Sequence, residues 1–182
     1  MNIRKSTIAG TILILSLYLI PYSAAQHKQN LEAIHARLAK DVRHELLMLS
    51  NYSLFDNLEF EITGVDTVIL SGQVTRPILK SDAENAIRRL EGAGKVVNKI
   101  DVLPLSPQDD NIRIAVYRAL LNKPGLDRYL LRAASPIHII VKNGNITLVG
   151  NVAMQADKDL AGIAANEVPG TFKVTNNLKV EK

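Results

Sequence analysis

The chain has 182 residues, of which 47% are hydrophobic and 22% charged, a globular composition long enough for one medium domain or two small ones. It contains no cysteine, which excludes disulfides, thiol nucleophiles and cysteine-based zinc sites. The formal net charge is +4, and it falls to about +2 without the two basic residues of the first 25, which is too small to indicate a protein that binds nucleic acid.

The N-terminal segment MNIRKSTIAGTILILSLYLIPYSAAQ is typical of an export signal. Arg4 and Lys5 precede an apolar stretch from Ile8 to Ile20, which is shorter than a comfortable membrane span. Small residues before the next polar position predict cleavage after Ala25, so that residues 1–25 form a signal peptide. The alternative is an uncleaved inner-membrane signal anchor. In a Gram-negative cell, an exported chain of this kind is expected to be periplasmic.

The segment after the expected cleavage position has the spacing of a helix. Within residues 26–41, Leu31, Ile34 and Leu38 recur at three- and four-residue intervals, and Val42 continues the series. We expect this segment to be an N-terminal helical extension of the first domain; the alternatives are a stalk or a partner-binding face.

An internal repeat is the strongest signal in the sequence. VILSGQV at 68–74 and ITLVGNV at 146–152 share one pattern, and Gly72 aligns with Gly150 at an offset of 78 residues that holds to the C-terminus. Upstream, the helix segments align at an offset of 70, because the second repeat has eight more residues between its first helix and first strand. We call the two repeats copy 1 and copy 2.

Each copy predicts the same order of elements, namely helix, strand, strand, helix and strand. The predicted segments are 40–50, 58–63, 68–74, a helix from 81 and 96–102 in copy 1, and 110–121, 136–142, 146–152, a helix from 157 and 174–180 in copy 2. The fold class is therefore α+β, with two tandem α-β-β-α-β units, each a small three-stranded mixed sheet with helices packed on one face. The predicted domains are 42–103 and 112–182, and the proline-containing segment 104–111 is the linker.

Four glycines recur at equivalent positions and predict structural roles. Gly72 and Gly150 interrupt apolar strands, which indicates a close approach by another part of the chain, and we expect the following helix to be that neighbour. Gly92 and Gly170 follow the second helix of each copy, where a C-cap favours glycine.

Polar residues near the second helix and the closing strand have structural interpretations as well. Ser81-Asp82 and Asp157 are residue types that cap helix N-termini. Asn98 and Asn176 repeat within the closing strands, where a half-buried amide is expected to bond to nearby backbone.

The two copies resemble the BON domain, a bacterial osmotically-inducible-and-nodulation module. The resemblance rests on VILSGQV and ITLVGNV, the helix after each, Gly92 and Gly170, and the closing strands VVNKIDV and VTNNLKV, and it covers about residues 40–182. It implies a periplasmic or envelope protein that binds phospholipid or envelope proteins, with roles in envelope integrity and osmotic stress. Copy 2 departs from copy 1 at the insertion 122–136, so binding surfaces near it transfer less directly.

No catalytic or metal-binding pattern is found in the sequence. The four histidines, at positions 27, 35, 44 and 138, lack ligand spacing, and no phosphate-binding loop or nucleophile motif occurs. His138 alternates with Ile137 and Ile139, so we expect it on the exposed face of a strand. We therefore expect no enzyme activity, no cofactor and no metal.

A cluster of basic and aromatic residues in copy 2 is the candidate lipid-binding surface. Its members are Arg113, Tyr117, Arg118, Leu121, Arg128, Tyr129 and Arg132, with Leu130 and Leu131 beside them. Guanidinium groups can reach anionic headgroups while apolar side chains enter the acyl boundary. The alternative is an ordinary helix pair in which Tyr and Leu form core and Arg is solvated.

Two functions follow from these alternatives. The first is peripheral binding to anionic phospholipid through copy 2. The second is a chaperone-like or scaffold module that binds other envelope proteins through sheet edges or apolar helix faces. Exposure of the cluster favours lipid, whereas buried Tyr and Leu together with an uncovered strand edge favour protein.

Overall fold

The computed structural model describes residues 20–132 and 134–181. Most of the predicted export signal, residues 1–19, lies outside the described residues. The first half of the chain contains α1 (Ile20–Leu47), β1 (Asn57–Thr63), β2 (Thr67–Val74), α2 (Pro77–Arg88), β3 (Lys95–Asn98) and β4 (Asp101–Val102). The second half contains α3 (Pro107–Leu121), α4 (Asp127–Leu130), β5 (Ile137–Lys142), β6 (Asn145–Val152), α5 (Gln155–Asn166) and β7 (Lys173–Val180). The predicted α+β fold with two repeats is confirmed.

Each copy forms a mixed sheet around a central strand. In copy 1, β2 pairs antiparallel with β1 and parallel with β3, and β4 continues the same parallel edge. In copy 2, β6 pairs antiparallel with β5 and parallel with β7. The closing strand of copy 1, predicted as one strand, is split in two, although Lys99 N still donates to Leu70 O at 2.8 Å across the gap.

The helices of each copy cover one face of its sheet, as the alternation of the strands predicts. The core of copy 1 is formed by aliphatic side chains of α1, α2 and the covered sheet face: Leu38, Val42, Leu46, Val68, Leu70, Val74, Leu79, Ala83, Ile87 and Ile100. The core of copy 2 uses the corresponding faces of α3, α5 and its sheet, and α4 adds Tyr129 and Leu130. Two cores of this kind explain why the pattern occurs twice in the chain.

The helix starts differ from the sequence predictions. The second helix of copy 1 begins at Pro77 and not at Ser81, and α5 begins at Gln155, ahead of Asp157. Neither helix has a side-chain cap; Pro77 begins α2 because proline at the first helical position loses no helix hydrogen bond. The predicted N-caps are therefore wrong. Asp157 lies in the first turn of α5, and its bonds to α4 are described below.

The linker region contains part of a helix. α3 begins at Pro107, within the segment 104–111 that the sequence analysis assigned to the linker. Ser106 caps α3, because its Oγ accepts a hydrogen bond from Asp109 N at 3.1 Å. The buried carboxylate of Asp109 then accepts hydrogen bonds from the backbone of Asn143 and Gly144, each at 2.8 Å. This contact ties the start of α3 to the β5–β6 turn.

The strand glycines mark a close approach of two backbones. Gly72 has φ +110° and Gly150 has φ +120°. A Cβ at Gly72 would lie 2.0 Å from Asn57 O, and one at Gly150 would lie 1.9 Å from Pro136 O. The neighbour is thus the preceding antiparallel strand, so the expectation of an approaching helix is wrong.

The glycines after the second helices are not the C-caps that the sequence predicts. The C-caps of α2 and α5 are Arg89 and Glu167, and Gly92 and Gly170 lie three residues farther on, with φ +90° and +83°. They turn the chain out of the helix end toward the closing strand, where positive φ favours glycine.

The repeated asparagines do make the expected backbone bonds. Asn98 Nδ2 donates to Lys80 O at 2.8 Å, and Asn176 Nδ2 donates to Lys158 O at 2.7 Å. In each copy the side-chain oxygen accepts from the backbone two residues later. Each asparagine therefore fastens the closing strand to the second helix.

The helical extension predicted for residues 26–41 forms part of α1, one continuous helix from Ile20 to Leu47 that passes the expected cleavage position at Ala25. None of the helices in the described residues is both long enough and apolar enough to cross a membrane.

We expect Gly72→Ala to lower the free energy of unfolding by about 3 kcal/mol or more, because the new Cβ meets a backbone oxygen at an unfavourable φ. Gly150→Ala should behave in the same way. Urea unfolding monitored by circular dichroism measures the loss.

Gly64→Ala is the matched control for these variants, because Gly64 has φ +64° and no atom within 4 Å of the added Cβ. Its loss should be about 1 kcal/mol, the cost of the left-handed backbone alone. Equal losses at Gly64 and Gly72 would contradict the role of the close backbone contact.

Candidate functional site

Arg113, the first member of the candidate surface, is a buried residue of α3. Its side chain is inaccessible to a headgroup, since the residue is only 4% exposed. Arg113 Nη2 donates to Val141 O at 2.7 Å, and Nη1 is paired with Asp110. Arg113 thus joins α3 to β5 in the interior of copy 2.

Arg128 and Tyr129, on α4, form a network with Asp157 at the start of α5. The Tyr129 hydroxyl donates to Asp157 Oδ2 at 2.7 Å and accepts from Ala153 N at 2.9 Å. Arg128 Nη2 donates to the same carboxylate oxygen at 2.6 Å and to the Tyr129 hydroxyl at 2.9 Å. Two hydrogen bonds raise the pKa of Arg128, and the bond with Tyr129 has a larger effect than the bond with Asp157. The network fastens α4 to α5.

The other members of the candidate surface fall into two groups. Tyr117 and Leu121 are half-buried and pack against the core of copy 2. Arg118 and Arg132 are exposed, and Leu131, beside Arg132, is 68% exposed. The structure therefore leaves a smaller exposed group than the sequence predicts, with Arg128 at its margin.

A segment of copy 1 that the sequence analysis did not single out covers the outer edge of β5. Ile139 N donates to Leu54 O at 2.8 Å. Tyr52 stacks at a tilt on His138 with ring centroids 5.7 Å apart, and Phe55 contacts Tyr117 edge-on at 6.5 Å. We call residues 52–56 the covering segment, because it closes the edge of β5 from both faces of the sheet.

His138 is therefore not exposed, contrary to the prediction. It does lie on the sheet face away from α3 and α5, but the covering segment packs over it, and its Nδ1 atom is buried without a hydrogen-bond partner in the described part of the chain. Burial lowers the pKa of His138, and hydrogen bonding to the backbone of Asp56 and Ser53, together with the charge of Asp56, only partly opposes this. Burial also raises the pKa of Tyr52 to about 12, so its phenol is neutral at physiological pH.

Little in the sequence predicts this contact. Residues 52–56 lie between the first helix and first strand of copy 1, where the two copies differ in length and the repeat alignment breaks. The apolar residues Leu54 and Phe55 precede a predicted strand, so they resemble the start of a core element. Only the packing of copy 1 on copy 2 gives them a partner.

A broad groove of about 1140 Å³ runs between the copies beside His138. Its lining includes Arg43, Phe60, Tyr52, His138, Lys158 and Lys179. Among the side chains that the structure describes, in residues 28–132 and 134–181, no three of the types that bind metals come together. The groove has mixed polar and apolar walls and offers a surface for binding.

We expect Tyr129→Phe to destabilise the protein by about 1–3 kcal/mol, because it leaves the amide of Ala153 and one bond to the nearly buried Asp157 unsatisfied. Thermal unfolding at neutral pH measures the effect. Tyr117→Phe is the control, since no hydrogen bond of the Tyr117 hydroxyl occurs among the described residues, and it should change stability by less than about 0.5 kcal/mol. An equal loss in both variants would contradict this assignment.

Solved structures with limited similarity to this chain include two of CdsD, a structural protein of the type III secretion system of Chlamydia trachomatis. The C-terminal domain of CdsD is 11% identical and aligns over 79% of this chain and 96% of its own, with a TM-score of 0.29. A second CdsD structure is 12% identical and aligns over 80% and 94% of the two chains, with a TM-score of 0.28. These scores support no inference about function. None of the curated proteins matches the chain.

The family comparison agrees with the repeat. The BON domain matches twice, at residues 34–104 and 108–182, which together span most of the chain. Proteins with this domain are usually periplasmic or associated with the cell envelope, and the domain is generally non-catalytic. The chain belongs to the BON-domain family and carries two tandem copies of the domain.

Proposed function

We propose that this protein is a non-catalytic envelope protein that binds reversibly to anionic phospholipid at the membrane surface through copy 2, and that it supports envelope integrity under osmotic stress. The observation that carries the proposal is the exposure of Arg118, Leu131 and Arg132 on copy 2. Exposed guanidinium groups next to an exposed leucine suit an interface between headgroups and acyl chains.

The strength of this attachment follows from the number of available charges. Each basic side chain near an anionic surface contributes about 1 kcal/mol. Arg118 and Arg132 can contribute in full, whereas Arg128 is partly neutralised by Asp157. Arg113 is excluded by burial. The expected attachment is therefore weak, salt-sensitive and reversible.

The second candidate function, a scaffold that binds other envelope proteins, is favoured by the burial of Tyr129 and Leu130 and by an uncovered strand edge. β7 is an eight-residue edge strand, and no strand in the described part of the chain pairs with its outer side. Such an edge can accept a partner strand. Lys173 and Lys179 lie on this strand, and lysines at edges discourage strand addition. We therefore place this function second.

Co-sedimentation of residues 26–182 with vesicles tests the proposal. We expect binding to phosphatidylglycerol vesicles, no binding to phosphatidylcholine vesicles, and weaker binding at high salt. The double variant Arg118→Ala/Arg132→Ala should lower the affinity about 30-fold, the product of two contributions of about 1 kcal/mol.

Arg89→Ala/Lys95→Ala is the matched control, because both residues are exposed on copy 1 and the pair removes the same charge. It should lower the affinity by less than about threefold. Equal losses in both double variants would mean that net charge alone attracts the protein. No binding to either vesicle would refute the lipid function and favour the scaffold.

A further inference from the structure

We propose that His138 controls the docking of copy 1 on copy 2, so that the copies pack together while the imidazole is neutral and separate when it is protonated. The inference concerns the contact between the two domains and is independent of the lipid-binding proposal.

His138 lies at the centre of the docking contact. The next residue in the chain, Ile139, donates its backbone N–H to Leu54 O of the covering segment. The ring of Tyr52 covers the imidazole at 5.7 Å between centroids. A protonated imidazole carries two N–H donors, and here Nδ1 is buried where no partner is present among the described residues.

The nearest carboxylate is already committed. Asp56 is fully buried, and its oxygens accept hydrogen bonds from Ser53 N at 3.0 Å, Ser53 Oγ at 2.7 Å, Thr75 N at 2.6 Å and Thr75 Oγ1 at 2.8 Å. Four donors leave little capacity for an imidazolium. The Asp56 carboxylate therefore offers His138 only a through-space attraction, and the backbone of Asp56 and Ser53 adds hydrogen bonding that does not outweigh burial.

The other ionisable groups around His138 come from six neighbouring segments. They are Arg43 of α1, Tyr52 of the covering segment, Glu59 of β1, Arg132 after α4, Lys158 of α5 and Lys179 of β7. The basic groups outnumber the one acid among them, and the Tyr52 phenol is neutral. The charge that acts on His138 is nevertheless that of Asp56, which favours protonation, so the resistance to protonation in the docked state comes from burial.

The direction of the pH dependence follows from these facts. Burial lowers the pKa of His138 in the docked state, whereas an exposed histidine has a pKa of about 6.5. At a pH between these two pKa values, the separated state therefore binds more protons than the docked state. Docking is complete above about pH 6.5 and weakens as the pH falls toward the docked pKa, with the ratio of open to docked molecules rising up to about tenfold per pH unit.

Besides the contacts of His138, the copies meet through an ion pair and through Leu54 and Phe55, which pack against the core of copy 2. The ion pair between Lys142 and Asp101, at 2.7 Å, joins two half-exposed side chains and is worth little. Phe55 and Tyr117 supply one edge-on aromatic contact. Contacts of this kind between domains resemble transient interfaces.

A distance measurement between the copies tests the proposal. Because the chain has no cysteine, Asn85→Cys/Ile163→Cys introduces two unique labelling sites at exposed, equivalent positions of α2 and α5. Spin labels on the full chain should give one narrow distance distribution above about pH 7. Below about pH 6 a longer, broad component should grow, while far-UV circular dichroism shows both copies still folded.

His138→Phe keeps an aromatic ring and removes the titration, so its distance distribution should stay narrow down to about pH 5. His138→Gln, a polar replacement that does not titrate, serves if the phenylalanine variant fails to fold. His44→Gln removes an exposed histidine of α1 and should open like the parent chain. Opening of the His138 variants at low pH, or no opening of the parent chain by about pH 5, would overturn the proposal.

Discussion

The close contact between two strand backbones at Gly72 and Gly150 is the constraint on which each copy depends. The carbonyl oxygen of the preceding strand occupies the place where a side chain would begin, so only glycine fits the central strand there. This contact sets the register of the antiparallel pair. Since a slip of one residue would turn every side chain to the other face, the register also decides which face receives the helices. Asn98 and Asn176 then fasten the closing strand to the second helix of the same copy.

The two copies differ where the chain passes from the first helix to the first strand, and this difference organises the whole molecule. In copy 1 the shorter connection contains residues 52–56, which reach copy 2 and cover the outer edge of β5. In copy 2 the longer connection forms α4, which packs on its own domain through Tyr129 and Asp157. A duplicated fold thus becomes an asymmetric pair in which the edge of β5 is protected and the edge of β7 is not.

The candidate surface was only partly predictable, for a physical reason. Arginine and tyrosine at helical spacing indicate one face of a helix, but not whether another element lies over it. Arg113 bonds to the backbone of β5 and Arg128 bonds to a carboxylate of α5, so both contacts depend on residues far away in sequence. Arg132 and Leu131 remain exposed because they follow α4 at the surface. The same limit applied to His138, whose strand face was predicted correctly while its covering segment was not.

The sequence by itself determined the duplication, the order of helices and strands, the alternating core faces and the special role of the strand glycines, because these depend on local periodicity and on backbone sterics. It also predicted the backbone bonds of the two asparagines. The tertiary structure alone decided where the helices start, which neighbour the glycines admit, which arginines face solvent and how copy 1 docks on copy 2. Those outcomes depend on contacts between segments distant in sequence, such as Leu54 with Ile139, and no local pattern encodes them.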